Sequence, residues 1–151
     1  ATIGNVCDIR SLCDFLDSAE SVGGMPKTIL YTLNPADNAA FATLTGSFTG
    51  DGVAGKLQFG PAWWYNDHKE GIENHLRTLS SYGLLSRFIG MTTDSRSILS
   101  FSRHEYFRRI LCGYIGEQVE KGEFPNDMKL LGKIVENISY NNIYNWCFDR
   151  K

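Results

Sequence analysis

The feature that most constrains this chain is a threefold alternation of short apolar runs, rich in β-forming residues, with longer stretches of helical periodicity. Residues 28–33 (Thr-Ile-Leu-Tyr-Thr-Leu), 55–60 (Gly-Lys-Leu-Gln-Phe-Gly) and 87–93 (Arg-Phe-Ile-Gly-Met-Thr-Thr) read as strands. Strands buried on both faces and separated by helices predict a parallel sheet, so the expected class is α/β. In such sheets binding groups collect at the C-terminal ends of the strands, in the strand-to-helix loops. That rule selects residues 34–37, 61–68 and 94–101.

The helical stretches carry their own punctuation. Residues 8–21 place Ile9, Leu12, Cys13, Phe15 and Leu16 on one side and end at Gly23 and Gly24. Asn34-Pro35-Ala36-Asp37 is a turn able to open a helix running to about Thr45. A helix is expected over 69–82, stopped by Gly83. Ser102-Arg103-His104-Glu105 has the form of a capping box. The helix behind it would bury Phe107, Ile110, Leu111, Tyr114 and Ile115 and stop at Gly122, with Pro125 beyond. A last helix is expected from Asp127 to about Trp146, with Leu130, Leu131, Ile134, Val135 and Ile138 along it.

Composition narrows the partners. A net charge of −2 and a pI near 5.9 give no electrostatic case for nucleic acid or an anionic membrane. No apolar run approaches the roughly 20 residues of a membrane span. The first residues have neither the basic nor the apolar region of a signal peptide, and the missing initiator Met fits a processed or truncated chain. Cys7, Cys13, Cys112 and Cys147 show no CxxC and no metal-ligand spacing. They are expected to be reduced and inert, and Cys13, Cys112 and Cys147 to act as small hydrophobes in apolar-periodic segments, which points to the cytoplasm.

Several motifs invite a chemical reading. Residues 50–55 fit the letters GxGxxG, but a dinucleotide site needs that motif after a strand and opening a helix. Here it precedes a strand, so a flexible connection is expected. His68, His75 and His104 form neither a His-x-His nor an i, i+4 pair. His75 is expected to be a surface or packing residue, while His104 lies near Asp94 in the first turn of its helix. The run Trp63-Trp64-Tyr65-Asn66-Asp67 says more. Adjacent aromatics in one loop cannot all face a core. A ring covering sugar C–H faces beside Asn or Asp groups for hydroxyls is the pattern of a sugar-binding loop, and one Trp is expected to pack while the other lines a pocket. At the end of the third run, Asp94 can ligate a divalent cation or take a proton. Arg96 offers a planar fork for a substrate carboxylate. An Asp–Arg pair at a helix entry would explain the same two residues, and the residues alone leave both readings open.

Longer stretches decide further. Residues 57–60 with 63–67, residues 90–97 (Gly-Met-Thr-Thr-Asp-Ser-Arg-Ser), and residues 103–112 (Arg-His-Glu-Tyr-Phe-Arg-Arg-Ile-Leu-Cys) resemble the C-terminal region of bacterial uronate isomerases. Residues 26–31, residues 33–38 and the late Asn141-Asn142 agree. The likeness runs from about Ile3 to the end, which makes residues 1–151 the C-terminal part of one barrel domain.

The resemblance implies an amidohydrolase-superfamily fold: the last three βα units of a TIM (β/α)8 barrel plus an extra C-terminal helix. It also implies interconversion of aldo- and keto-hexuronates, D-glucuronate with D-fructuronate and D-galacturonate with D-tagaturonate. On this reading Asp94 is the catalytic residue and completes the metal site, Arg96 binds the C6 carboxylate, and Trp63 or Trp64 walls the sugar pocket. The implied cofactor is a divalent metal, zinc being the expected ion. The family's His-x-His pair is absent from this chain, so the remaining ligands would come from the N-terminal part of the barrel; a homo-oligomer is compatible with the resemblance. Two alternatives stand beside it: a metal-dependent hydrolase on the same scaffold, and a catalytically silent fragment acting as a structural or interaction domain.

Overall fold

Two strands form a parallel pair, β1 (Thr28–Leu30) and β2 (Leu57–Phe59), with Thr28 opposite Leu57 and Leu30 opposite Phe59. A parallel pair needs a crossover, and α2 (Asn38–Ser47) supplies it after a 3-10 turn at Pro35–Asp37. The computed structural model describes residues 4, 6–50 and 52–148. Around the strands lie α1 (Ile9–Ser21), α3 (Lys69–Tyr82), α4 (Ser102–Glu120), α5 (Met128–Glu136) and α6 (Asn142–Phe148). Five residues of π-helix, Asn137–Asn141, join α5 to α6.

Local chemistry sets most helix boundaries. Asp8 accepts from the amides of Arg10 and Ser11, and Asp127 from those of Lys129 and Leu130, which satisfies amide groups that lack intrahelical partners. His68 starts α3 in the same way, its Nδ1 accepting from Gly71 at 3.2 Å.

The core lies between β2, α3 and α4. Phe59, Ile72, Leu76, Phe88, Phe107 and Leu111 are all buried there. A smaller cluster of Leu16, Met25, Leu44 and Leu57 seats α1 against the outer side of β2. Gly60 ends β2 where the Tyr31 ring crosses it; a Cβ there would lie 2.6 Å from that ring.

The expected third strand does not join the sheet. Residues 87–93 hold no strand; Leu85–Arg87 is a 3-10 turn and Phe88 is extended, but Gly90 turns at φ +81°. The carbonyls that a ladder would use are taken by side chains. Gln58 donates to the Arg87 carbonyl at 3.2 Å, and Asn142 to those of Ser86 and Phe88 at 2.9 and 2.8 Å.

The expected capping box is also not formed. A 3-10 turn, Ile98–Phe101, runs straight into α4, so the cap moves to Ser97, whose hydroxyl accepts from the Leu99 amide at 3.3 Å. Ser102 instead donates to the Leu99 carbonyl and Glu105 pairs with Arg109. Two further expectations change. Phe15 lies at the edge of the apolar side of α1 and is 67% exposed, and Cys112 and Cys147 are exposed rather than packed.

Candidate functional site

The GxGxxG run, as expected, leads into β2, with Gly55 separated from the strand by Lys56 alone. Its geometry is that of a connection. The Gly55 carbonyl accepts from Trp146 Nε1 at 2.8 Å and from Gln58 at 3.1 Å, so the turn is an anchor for the C-terminal helix.

At the other end of the strands, the loops after β1 and β2 are drawn together by aromatic and polar contacts. Trp63 is half-buried, with its ring centroid 5.1 Å from that of Tyr31. Trp64 meets Trp63 edge-on at 5.6 Å and stacks on Tyr65 at 5.4 Å, while remaining 57% exposed. One Trp therefore packs and its neighbour faces outward, as adjacent side chains in a loop must. Asn66 is buried and donates to the Leu33 carbonyl at 3.3 Å. Trp64 sits at φ +52°, the left-handed region, which costs an L side chain roughly 1–2 kcal/mol. Such strain persists only where the surroundings over-determine it, and these contacts surround it.

Asp94 and Arg96 stand apart. Both are exposed, Asp94 at φ +45° in a conformation that Asp tolerates. Neither makes an ion pair with another described residue, so the structural Asp–Arg pair that the sequence allowed is not formed. Ser95, between them, is hydrogen-bonded through its hydroxyl to that of Ser100 and accepts from the Ser97 amide, which folds this segment back on itself. Among the described residues, no three His, Cys, Asp or Glu side chains come together to hold a metal ion. Asp94 belongs to no such group. His104 is half-buried, 6.5 Å from the Phe101 ring, beside a cavity of about 110 Å³ that Met91 and Thr92 also line.

Two features escaped the sequence reading, and a third, His75, takes the packing place that was one of its two expected ones. Asp67 in the aromatic loop is paired with Arg103 in the first turn of α4, and the same guanidinium donates to the Asp67 backbone carbonyl at 3.1 Å. Asp67 Oδ1, Trp63 Nε1 and Asp37 Oδ2 are buried without a partner among the described residues. His75, expected at the surface or in packing, is 2% exposed between the rings of Phe59 and Phe88, at 4.4 and 5.1 Å. Burial pushes its pKa down to about 4, against a smaller opposing effect of a hydrogen bond with the Gly60 backbone. It is thus neutral at physiological pH, and it edges a cleft of about 270 Å³ shared with Thr32, Asn38, Asn66 and Asn74.

Comparison with known proteins gives a consistent answer. A family model described as glucuronate isomerase matches residues 2–147. A uronate isomerase of Caldanaerobacter subterraneus subsp. tengcongensis is 61% identical over 141 residues, 93% of this chain and 30% of that protein. One from Haemophilus influenzae (strain PittGG) is 56% identical over 145 residues, 96% of this chain and 31% of that protein. The chain therefore spans about 30% of the length of the curated relatives it matches. The crystal structure of a uronate isomerase from Thermotoga maritima superposes with a TM-score of 0.79 at 37% identity, covering 92% of this chain and 29% of that one. A glucuronate isomerase structure from Caulobacter crescentus, 22% identical, has the same fold over 91% of this chain and 28% of its own, with a TM-score of 0.76.

Proposed function

The chain belongs to the glucuronate isomerase family, and from that premise we propose that it is the C-terminal part of a longer enzyme that interconverts aldo- and keto-hexuronates. The observation that carries the reading is that the loop after β2 packs Trp63 and turns Trp64 outward, while Asp94 and Arg96 are exposed and make no ion pair with another described residue. In the longer protein, residues 87–93 would join β1 and β2 as the last of three βα units of a barrel. That barrel would be completed by the N-terminal part that the relatives possess.

The reaction moves one hydrogen between carbons and one between oxygens. A base removes the proton from C2 of the aldose while O1 gains a proton, giving a cis-enediol; a proton returned to C1, with loss of the proton on O2, leaves a hydroxyl at C1 and the carbonyl at C2. The residues of this chain supply recognition. The Arg96 guanidinium fits the C6 carboxylate, the group that distinguishes a uronate from a neutral sugar. The exposed face of Trp64, backed by Trp63, would cover the C–H face of the substrate. Asp94 would serve as one ligand of a divalent metal, zinc being our choice. That ion would polarise the substrate oxygens when bound. The described residues do not assemble a metal site of their own, so its other ligands would lie outside them.

The assay is turnover of D-glucuronate, with and without zinc, by the longer protein and by the 151-residue chain. Turnover by the longer protein alone is expected; turnover by neither would sink the proposal. In the longer protein, Arg96→Ala should chiefly raise KM, and Asp94→Asn should lower kcat together with bound metal. Normal kinetics and metal content in both variants would show that the site lies elsewhere.

A further inference from the structure

We propose that Arg103 is a positioning residue, which clamps Asp67 and so holds the Trp63–Trp64 loop to α4, the helix that follows the segment bearing Asp94 and Arg96. The inference rests on the hexuronate reading above and assigns that site a component outside its substrate-contacting residues.

The clamp is unusual in what it grips. A single guanidinium nitrogen, Arg103 Nη2, contacts both the Asp67 carboxylate and the Asp67 backbone carbonyl. Side chain and main chain of one loop residue are thereby fixed to one point on α4. The Asp67 side chain is 10% exposed and that of Arg103 37%, so the pair is partly withdrawn from water. The grip passes directly to the aromatic loop, because the Asp67 amide donates to the Trp64 carbonyl at 3.2 Å and the Asn66 amide to that of Trp63 at 3.0 Å. The Tyr31 ring and the Leu33 carbonyl hold the same loop to the β1 side. Arg103 holds it to α4, which follows the Asp94–Arg96 segment through the 3-10 turn at Ile98–Phe101.

Stability alone is a poor reason for such a pair, since well-packed apolar residues usually serve a partly buried position equally well. What the guanidinium offers is orientation, through one nitrogen that holds both the carboxylate and the main-chain carbonyl of the same residue. The loop needs it, because Trp64 occupies a left-handed conformation that an unrestrained Trp would leave. Releasing Asp67 would let Trp64 relax and the sugar-facing ring drift from the carboxylate-binding Arg96.

The test is made in the longer protein with Asp67→Asn, Arg103→Gln and Arg103→Lys. Asp67→Asn and Arg103→Gln should each raise KM for D-glucuronate about tenfold with kcat changed less than about threefold, and the double variant should be no worse than either single one. Arg103→Lys, which keeps the charge but not the guanidinium's reach and rigidity, should fall between these and the unmodified enzyme. Hydrogen exchange of the 63–68 amides should quicken about tenfold in Arg103→Gln, with α3 unchanged. An unchanged KM, additive effects of the two substitutions, or loss of folding in both Asp67→Asn and Arg103→Gln would overturn the proposal. If the unmodified protein turns over no hexuronate, the functional reading fails. The exchange measurement then decides the clamp by itself.

Discussion

Replacing His75 with Leu should make the fold less sensitive to acid between pH 6.5 and pH 4. In the folded protein, burial holds the imidazole neutral down to about pH 4, against an ordinary value of 6.5. In the unfolded chain His75 takes up a proton as the pH falls through 6.5, while the folded state cannot. The folded pKa is depressed, so the penalty is absent above pH 6.5, grows as pH falls, and levels off below about 4. At 1.36 kcal/mol per pKa unit, the full loss is about 3 kcal/mol. The measurement is the urea midpoint of the protein and of His75→Leu at half-unit steps from pH 7.5 to 4, read as the difference between them. That difference should shift in favour of the variant by about 3 kcal/mol over the window. Asp8, whose pKa is lowered chiefly by the Ser11 hydroxyl, responds below the ordinary carboxylate range and contributes equally to both proteins. A His75 resonance titrating near 6.5 in the folded protein, or parallel curves for the two proteins, would refute the reasoning.

Other substitutions probe the scaffold. Gly90→Ala puts a Cβ 2.2 Å from the Ile138 carbonyl at φ +81°, and should cost at least about 2 kcal/mol of unfolding free energy by denaturant titration; a neutral result would mean that the helix does not rest on this glycine. Leu111→Ala, at a fully buried position, should cost about 2–5 kcal/mol in the same assay, and a loss below 1 would contradict its place in the core. Asp127→Ala should lose about 1 kcal/mol and Asp127→Asn little, measured by thermal melting, because only the capping oxygen is needed.

What could be read from the residues was local. The limits of α3 and the helix starts at Asp8 and Asp127 depend on neighbours within four positions, so periodicity reached them. The β1–α2–β2 unit was legible because its punctuation, Asn34-Pro35 and the glycines before Leu57, is local too. Residues 87–93 have strand composition, but whether they pair depends on Gln58 and Asn142 capturing carbonyls across the fold. The Asp67–Arg103 pair is equally remote in sequence and had no local signal. His75 did have one, since Ile72, His75, Leu76 and Leu79 share one helical face and all four are buried. The contrast between Trp63 and Trp64 was foreseeable from backbone geometry, whereas the solitary exposure of Asp94 and Arg96 was not.

The π-helical turn at Asn137–Asn141 has a consequence for how this region tolerates insertions and deletions. A π turn behaves as one extra residue in an α-helix, and one residue corresponds to a rotation of about 100°. Beyond it, Asn142 reaches the Ser86 and Phe88 carbonyls, Trp146 reaches that of Gly55, and the Trp146 carbonyl receives Lys27 at 2.6 Å. Removing a single residue from the turn would restore an unbroken helix and swing all of these contacts aside together. The turn acts as a phase setting for the C-terminal helix, so a one-residue deletion there should do more damage than most point substitutions along α6.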